Sequence, residues 1–193
     1  MCIRDRIYLS KDSGSTWDDM GLNKSEHISK IIVHPDNSNI IWVASQGPLW
    51  NSGGDRGLFM STDGGNSWSN KLYVNEWTGV TDIIIDPTNP DILYAATWQR
   101  HRNVASLIDG GPGTSIYKSI DGGNTWNEID SGLPSSNMGK IGLAISPMKP
   151  EVIYAAIELD RRSGAVFRSD NSGGVWKKMS NTVAGATGPH YYQ

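Results

Sequence analysis

One eight-residue pattern constrains this chain more than any other feature. Ser119–Trp126 reads SIDGGNTW, and it has three companions: SKDSGSTW at Ser10–Trp17, STDGGNSW at Ser61–Trp68 and SDNSGGVW at Ser169–Trp176. The shared form is S-x-D-x-G-x-[ST]-W. It is intact three times and eroded in the fourth copy, where Asn171 replaces Asp and Val175 replaces Thr. These residues suit a tight hairpin turn. Glycine supplies positive φ without steric cost, and an Asp carboxylate can accept backbone N–H groups of its own turn. The hydroxyl at the seventh position can tie the two arms together. Tryptophan is large and mostly apolar, so it is expected to be buried with a partner for its indole N–H. A residue that recurs on every unit belongs to the scaffold first. Asp12, Asp63 and Asp121 are therefore expected to hold turns, with Trp17, Trp68, Trp126 and Trp176 as packing anchors. The alternative is a catalytic or metal-binding role; a calcium loop, however, needs several carboxylates in one loop, and each turn offers one.

A second signature precedes three of the four turns. Ile31–Ser45 reads IIVHPDNSNIIWVAS, Ile83–Thr97 reads IIIDPTNPDILYAAT and Leu143–Ile157 reads LAISPMKPEVIYAAI. Each is an apolar run, a Pro-centred turn and a second apolar run. Units recurring roughly every 50–60 residues indicate a solenoid or a propeller. In the unit built around Pro87 four strands are expected, at 80–85, 92–97, 115–119 and 125–129. The first two are near-continuous apolar runs, as for strands covered on both faces, and no segment carries a helical period with caps. Four antiparallel strands per unit make a β-propeller blade. The fold class is therefore all-β, with complete blades at 27–72, 79–130 and 139–180. Residues 7–20 supply the outer strands of a partial blade, and 188–193 begin a following one. Residues 1–6, MCIRDR, fit no repeat and are expected to be a non-native or disordered leader. Propellers close with roughly four to eight blades, so the remaining blades of a longer parent chain are expected as partners.

Bulk properties exclude several classes. The net charge is −3 over 193 residues, and no basic stripe of a nucleic-acid module is present. The longest apolar runs are too short to insert in a membrane. The lone Cys2 allows no internal disulfide. His27, His34, His101 and His190 show no metal-ligand spacing, and Gly110–Gly113 lacks the Lys-Ser/Thr and helix of a phosphate cradle. No metal and no cofactor is expected.

The paired signatures resemble those of Asp-box (BNR-repeat) propellers, over nearly the whole chain. The P-x-N-P-[DE] type turn with its box is most similar to bacterial proteins of the sortilin N-terminal type, often labelled glycosyl hydrolases, and xyloglucanase-type glycosidases share similar blades. The resemblance implies an exported protein, hence an extracytoplasmic location. Sialidases with such boxes carry an R-I-P motif; none occurs here, which argues against sialidase activity.

Strand parity places the Pro turns and box turns at one end of each blade. The second-to-third loops and the inter-blade links lie at the other, where Gln46–Gly57, Trp98–Thr114 and Glu158–Gly164 all differ. Variable loops on a rigid scaffold are where binding usually sits. Trp50, Arg56, Trp98, Arg100, His101, Arg102 and Arg161 are the ligand-binding candidates: aromatic plates and planar donor forks suit a glycan or an extended peptide. Glycoside hydrolysis generally needs two carboxylates, and Glu76, Glu158, Asp55 and Asp160 are the candidates for them. The leading expectation is a ligand-binding scaffold. The alternative is part of a glycoside hydrolase acting on a polysaccharide, and a third reading is a structural interaction module.

Overall fold

The computed structural model describes residues 5–159 and 163–183. Among these residues every regular element is a β-strand. A two-stranded antiparallel ribbon, β1 (Tyr8–Leu9) with β2 (Asp18–Asp19), comes first. Three four-stranded antiparallel meanders follow. The first is β3 (Ile28–His34), β4 (Asn37–Gln46), β5 (Arg56–Ser61) and β6 (Ser69–Leu72). The second is β7 (Thr78–Ile85), β8 (Leu93–Arg102), β10 (Ile116–Ser119) and β11 (Asn127–Glu128), with a spur, β9 (Leu107–Asp109), paired to the far end of β8. The third is β12 (Ile141–Ile145), β13 (Ile153–Leu159), β14 (Ser163–Ser169) and β15 (Lys177–Val183). These are three propeller blades. The proposed leader lies mostly outside the described residues, at 1–4, and the expected strand at 188–193 lies wholly outside them.

The apolar runs are continuous because both sheet faces are packed. Successive strand residues point to opposite faces. Val43 joins Ile7, Leu22, Ile28 and Phe59 on the side of the ribbon. Its neighbours Trp42 and Ala44 pack instead with Val80, Ile83, Leu93 and Ala95 of the second blade. Tyr94 and Ala96 then turn the other way, towards Ile141, Leu143, Ile153 and Trp176 of the third. Polar ties cross the same seams: Asp82 accepts the Leu143 N–H at 2.8 Å and pairs with Lys30 at 2.9 Å, and Thr81 Oγ1 donates to the Ile141 carbonyl at 3.3 Å.

The repeated turns share one hydrogen-bond set. Asp63 Oδ1 accepts the Ser67 N–H at 2.9 Å, and Oδ2 accepts the Ser67 hydroxyl at 2.6 Å. Asp121 with Thr125, and Asp12 with Thr16, repeat this geometry. The first Ser of each turn accepts the N–H of the fifth residue, as Ser61 does from Gly65 at 2.8 Å and Ser119 from Gly123 at 2.9 Å. The fourth and fifth residues both lie at positive φ, and Ser13 and Ser172 adopt it at 59° and 56° where the other copies have Gly. The eroded copy keeps most of the set: Asn171 Oδ1 accepts the Val175 N–H at 2.9 Å, and only the seventh-position hydroxyl bond is lost. Burial of the four indoles is uneven. Trp176 is buried and Trp68 and Trp126 are half-buried, whereas Trp17, expected inside, is 61% exposed.

Candidate functional site

The second-to-third loops and the inter-blade links meet at one end of the blades. Gly53 N–H donates to the Glu76 carbonyl at 2.8 Å, Asp55 N–H to the Lys24 carbonyl at 3.2 Å and Gly139 N–H to the Glu158 carbonyl at 2.9 Å. In the second blade β8 runs past the sheet to Arg102 and turns back as β9, closed by Asn103 Oδ1 accepting the Ala105 and Ser106 N–H groups. This hairpin was not expected from the sequence; its signal is Asn103, a turn-forming residue placed between the paired segments. It stands beside the Gln46–Gly57 loop and lifts His101 and Arg102 to the surface.

Two aromatic plates form there. The Arg102 guanidinium lies 4.8 Å from the ring centre of Trp50, which is 52% exposed. Trp77 and His101 stack with ring centres 3.9 Å apart at 35°, both half-buried. Trp77 lies on the inter-blade link beside Glu76, on the face to which strand parity assigns the links.

Three of the expected ligand residues turn inward instead. Arg56 is fully enclosed and donates to three carbonyls of its own loop: Gln46 at 2.7 Å, Asn51 at 2.9 Å and Pro48. Arg100 is also buried and donates to the Gly47 carbonyl at 2.9 Å. Burial lowers both guanidinium pKa values to about 10, and for Arg100 the nearby Arg56 charge adds to the effect. Trp98 is buried between Arg100, at 5.1 Å, and Lys140, at 6.0 Å. Arg56 and Arg100 hold the loop backbone: an irregular loop leaves carbonyls unpaired, and a buried guanidinium supplies their donors. Trp98 is enclosed beside them. His27 completes this cluster, its Nδ1 3.3 Å from the Gly47 carbonyl; burial, then the Arg100 charge, hold its pKa below the usual value.

The carboxylate candidates separate as well. Asp55 is used locally, its Oδ2 accepting the Lys24 N–H at 2.9 Å. Glu76 is exposed on the link. Glu158 is half-buried at the junction of the second and third blades and packs on Gly139, where a Cβ would approach its Oε2 to 2.9 Å. Beside it a polar recess of about 140 Å³ is lined by Asp109, Gly110, Asn137, Gly139 and Leu159. Asp160 and Arg161 lie outside the described residues. Among the described residues no three His, Cys, Asp or Glu side chains converge as a metal ion would require, and no helix is long and apolar enough to cross a membrane.

No family model matches the chain. It is similar to a xyloglucanase of Paenibacillus sp., with 24% identity over 211 residues, covering 91% of this chain and 19% of that protein. A xyloglucanase of Hypocrea jecorina is 27% identical over 204 residues, covering 90% of this chain and 23% of the relative. Among solved structures, the GH74 enzyme of Niastella koreensis superposes with a TM-score of 0.68 at 17% identity, covering 91% of this chain and 26% of that one. An ancestral GH74 enzyme gives 0.67 at 20% identity, covering 91% and 21%. The GH74 xyloglucanase of Xanthomonas campestris gives 0.66 at 16% identity, covering 91% and 27%. The solved structures speak to the fold alone, that of a β-propeller, and the chain spans about a fifth of the length of the curated relatives it matches.

Proposed function

We propose that this chain is a segment of a glycoside hydrolase propeller acting on a xyloglucan-type polysaccharide, and that its variable-loop face is the surface that meets the glycan. The observation that carries the reading is the coincidence of two features. The aromatic plates Trp50–Arg102 and Trp77–His101 lie on the loop face, and the relatives matched over about nine-tenths of the chain are xyloglucanases. Sugar rings present apolar C–H faces that stack on indoles, while guanidinium forks donate to their hydroxyls. This favours the hydrolase over the bare binding scaffold, which was the stronger reading of the sequence alone.

Hydrolysis of a glycosidic bond generally needs an acid and a base or nucleophile on two carboxyl groups. Glu158 is the best-placed contributor from this chain, because it flanks the polar recess and sits where two blades meet. A polymer of this size is met outside the cell, so the protein works extracytoplasmically. Two assays with xyloglucan oligosaccharides test the reading: binding by tryptophan fluorescence and bond cleavage by release of reducing ends. Trp50→Ala is expected to weaken binding, and Glu158→Gln to leave binding intact while abolishing cleavage. Binding without cleavage by the longer protein that carries the remaining blades would return the function to a glycan-binding scaffold. Absence of any binding would remove the glycan from the account.

A further inference from the structure

The three inter-blade links enter their blades in matching register, so their residues can be compared position by position. Ile28, Val80 and Ile141 pair with Ser45, Thr97 and Ile157, each three residues after the aromatic of the second strand. Three residues before these inner-strand positions stand Ser25, Trp77 and Met138. Ser25 and Met138 are buried: the Ser25 hydroxyl donates to the His27 carbonyl at 3.0 Å, and Met138 joins the apolar cluster of the third blade. Trp77 is half-buried instead, with its indole stacked on His101.

The bonds around Trp77 explain its direction. Its N–H donates to Asn75 Oδ1 at 2.9 Å, and its carbonyl accepts the N–H of Arg100, the neighbour of His101, at 3.1 Å. The same Asn75 oxygen accepts the Thr78 hydroxyl at 2.9 Å, and the Asn75 carbonyl accepts the Thr78 N–H at 3.2 Å. This is an Asx turn, in which a short side chain takes the place of a backbone acceptor. Thr78 is buried and pairs across the sheet with Gln99, whose Oε1 accepts the Gly113 N–H at 2.9 Å. The Gly113 backbone seats directly on the group. A Cβ there would stand 2.3 Å from Thr78 Oγ1 and 2.9 Å from both Asn75 Nδ2 and Gln99 Oε1. One polar knot therefore ties the link, β8 and the loop leading into β10 beside the Trp77–His101 plate. The first link has Asn23 at the position matching Asn75. There the Ser25 N–H goes to the Leu22 carbonyl at 3.1 Å, and Ser25 turns inward.

We propose that Asn75 is a positioning residue for the ligand face: its side-chain oxygen sets the direction of Trp77, so that the indole meets His101 and offers its free side to a sugar ring. Its part in binding rests on the glycan reading given above; its part in placing Trp77 does not. Asn75 acts through Trp77 and not by touching the glycan, since its oxygen already serves the Trp77 N–H and the Thr78 hydroxyl.

The test uses the full chain unaltered and with Asn75→Ala, Asn75→Asp, Thr78→Val, Trp77→Ala, and Asn75→Ala combined with Trp77→Ala. The surroundings of Trp77 are read without ligand, as the part of the acrylamide quenching that Trp77→Ala removes. Affinity is read by calorimetric titration of a xyloglucan oligosaccharide. Asn75→Ala is expected to raise the Trp77 quenching and to weaken affinity by roughly three- to tenfold, the equivalent of one lost hydrogen bond. Asn75→Asp keeps an acceptor oxygen in place and is expected to restore both. Thr78→Val removes one bond to Asn75 at nearly constant shape and is expected to act in the same direction with a smaller effect. Once Trp77 is gone, Asn75→Ala is expected to cost no further affinity. An equal loss in the Trp77→Ala background would overturn the proposal, as would Trp77 quenching that neither Asn75→Ala nor Thr78→Val moves. Failure of the unaltered chain to bind the oligosaccharide would sink the glycan reading, and the quenching of Trp77 would still decide the role of Asn75.

Discussion

The two ends of each blade use polar residues in opposite ways. At the box end, the Asp carboxylates stand at the surface yet are spent within their own turns. Asp12, Asp63 and Asp121 accept a seventh-position hydroxyl and the N–H of the same residue, which holds their pKa values at about 2. At the loop end, two arginines go inside while an indole faces solvent. Arg56 and Arg100 are buried with their guanidinium groups on carbonyls, while Trp50 is 52% exposed. The difference separates exposure from availability. An exposed carboxylate with both oxygens bonded within its own turn has little left to offer a ligand, whereas an exposed aromatic face is a ready platform.

The largest expected effect breaks the box end. Trp42→Ala removes a fully buried indole at the seam between two blades and frees the Gly122 carbonyl. Destabilisation of about 3–5 kcal/mol is expected from the range for buried aromatic truncations, read as a drop in the urea midpoint. A smaller loss is expected at the loop end. Arg56→Met fills part of the space but leaves the Gln46, Pro48 and Asn51 carbonyls without their donor, for about 1–3 kcal/mol. Amide exchange localises that loss: it should concentrate in residues 46–56 and spare the box turns.

A pH series sharpens the same contrast with a smaller effect. The folded pKa of each box Asp, about 2, lies below its unfolded value near 3.8. The charged form therefore favours the fold above pH 3.8, and that contribution is lost as pH falls from there towards 2. Asn171 carries no charge, so its turn is expected to keep its amide protection through the same range. His27 acts in a different window. Its folded pKa lies below 6.5, so the unfolded chain takes up the proton first and stability falls as pH drops below 6.5. A His27→Gln variant is expected to lose that slope while keeping the acid step. An acid step equally present at the Asn171 turn would break the assignment to carboxylates.

The box turns were legible in the sequence because their chemistry is local: eight residues contain both the donors and the acceptors. The blade strands were legible too, since a run such as Ile83–Ile85 is apolar on both faces only when both faces are covered. Loop residues were not. Arg56 and Arg102 read alike, as arginines on variable loops, but Arg56 is enclosed by the carbonyls of residues 46–51 and Arg102 lies over Trp50. Which one turns inward depends on the path of the loop, and that path is fixed by contacts distant in sequence. Trp17 makes the same point within the repeat. Its turn has the bonds of the others, and its indole donates to the fifth-position carbonyl of its own turn just as Trp126 does, yet Trp126 packs against the apolar cluster between the first two blades and Trp17 belongs to none of the clusters among the described residues.

The separation of scaffold from ligand surface is tested most directly by one titration. Xyloglucan oligosaccharide is titrated into the unaltered chain, Trp50→Ala and Asp63→Ala, with the thermal midpoint of each recorded alongside. Loss of affinity by roughly tenfold or more in Trp50→Ala at an unchanged midpoint is expected, with retained affinity and a lowered midpoint in Asp63→Ala. The reverse pattern, binding lost with Asp63→Ala in a protein that melts as before and kept with Trp50→Ala, would contradict the account and move the ligand to the box end of the blades.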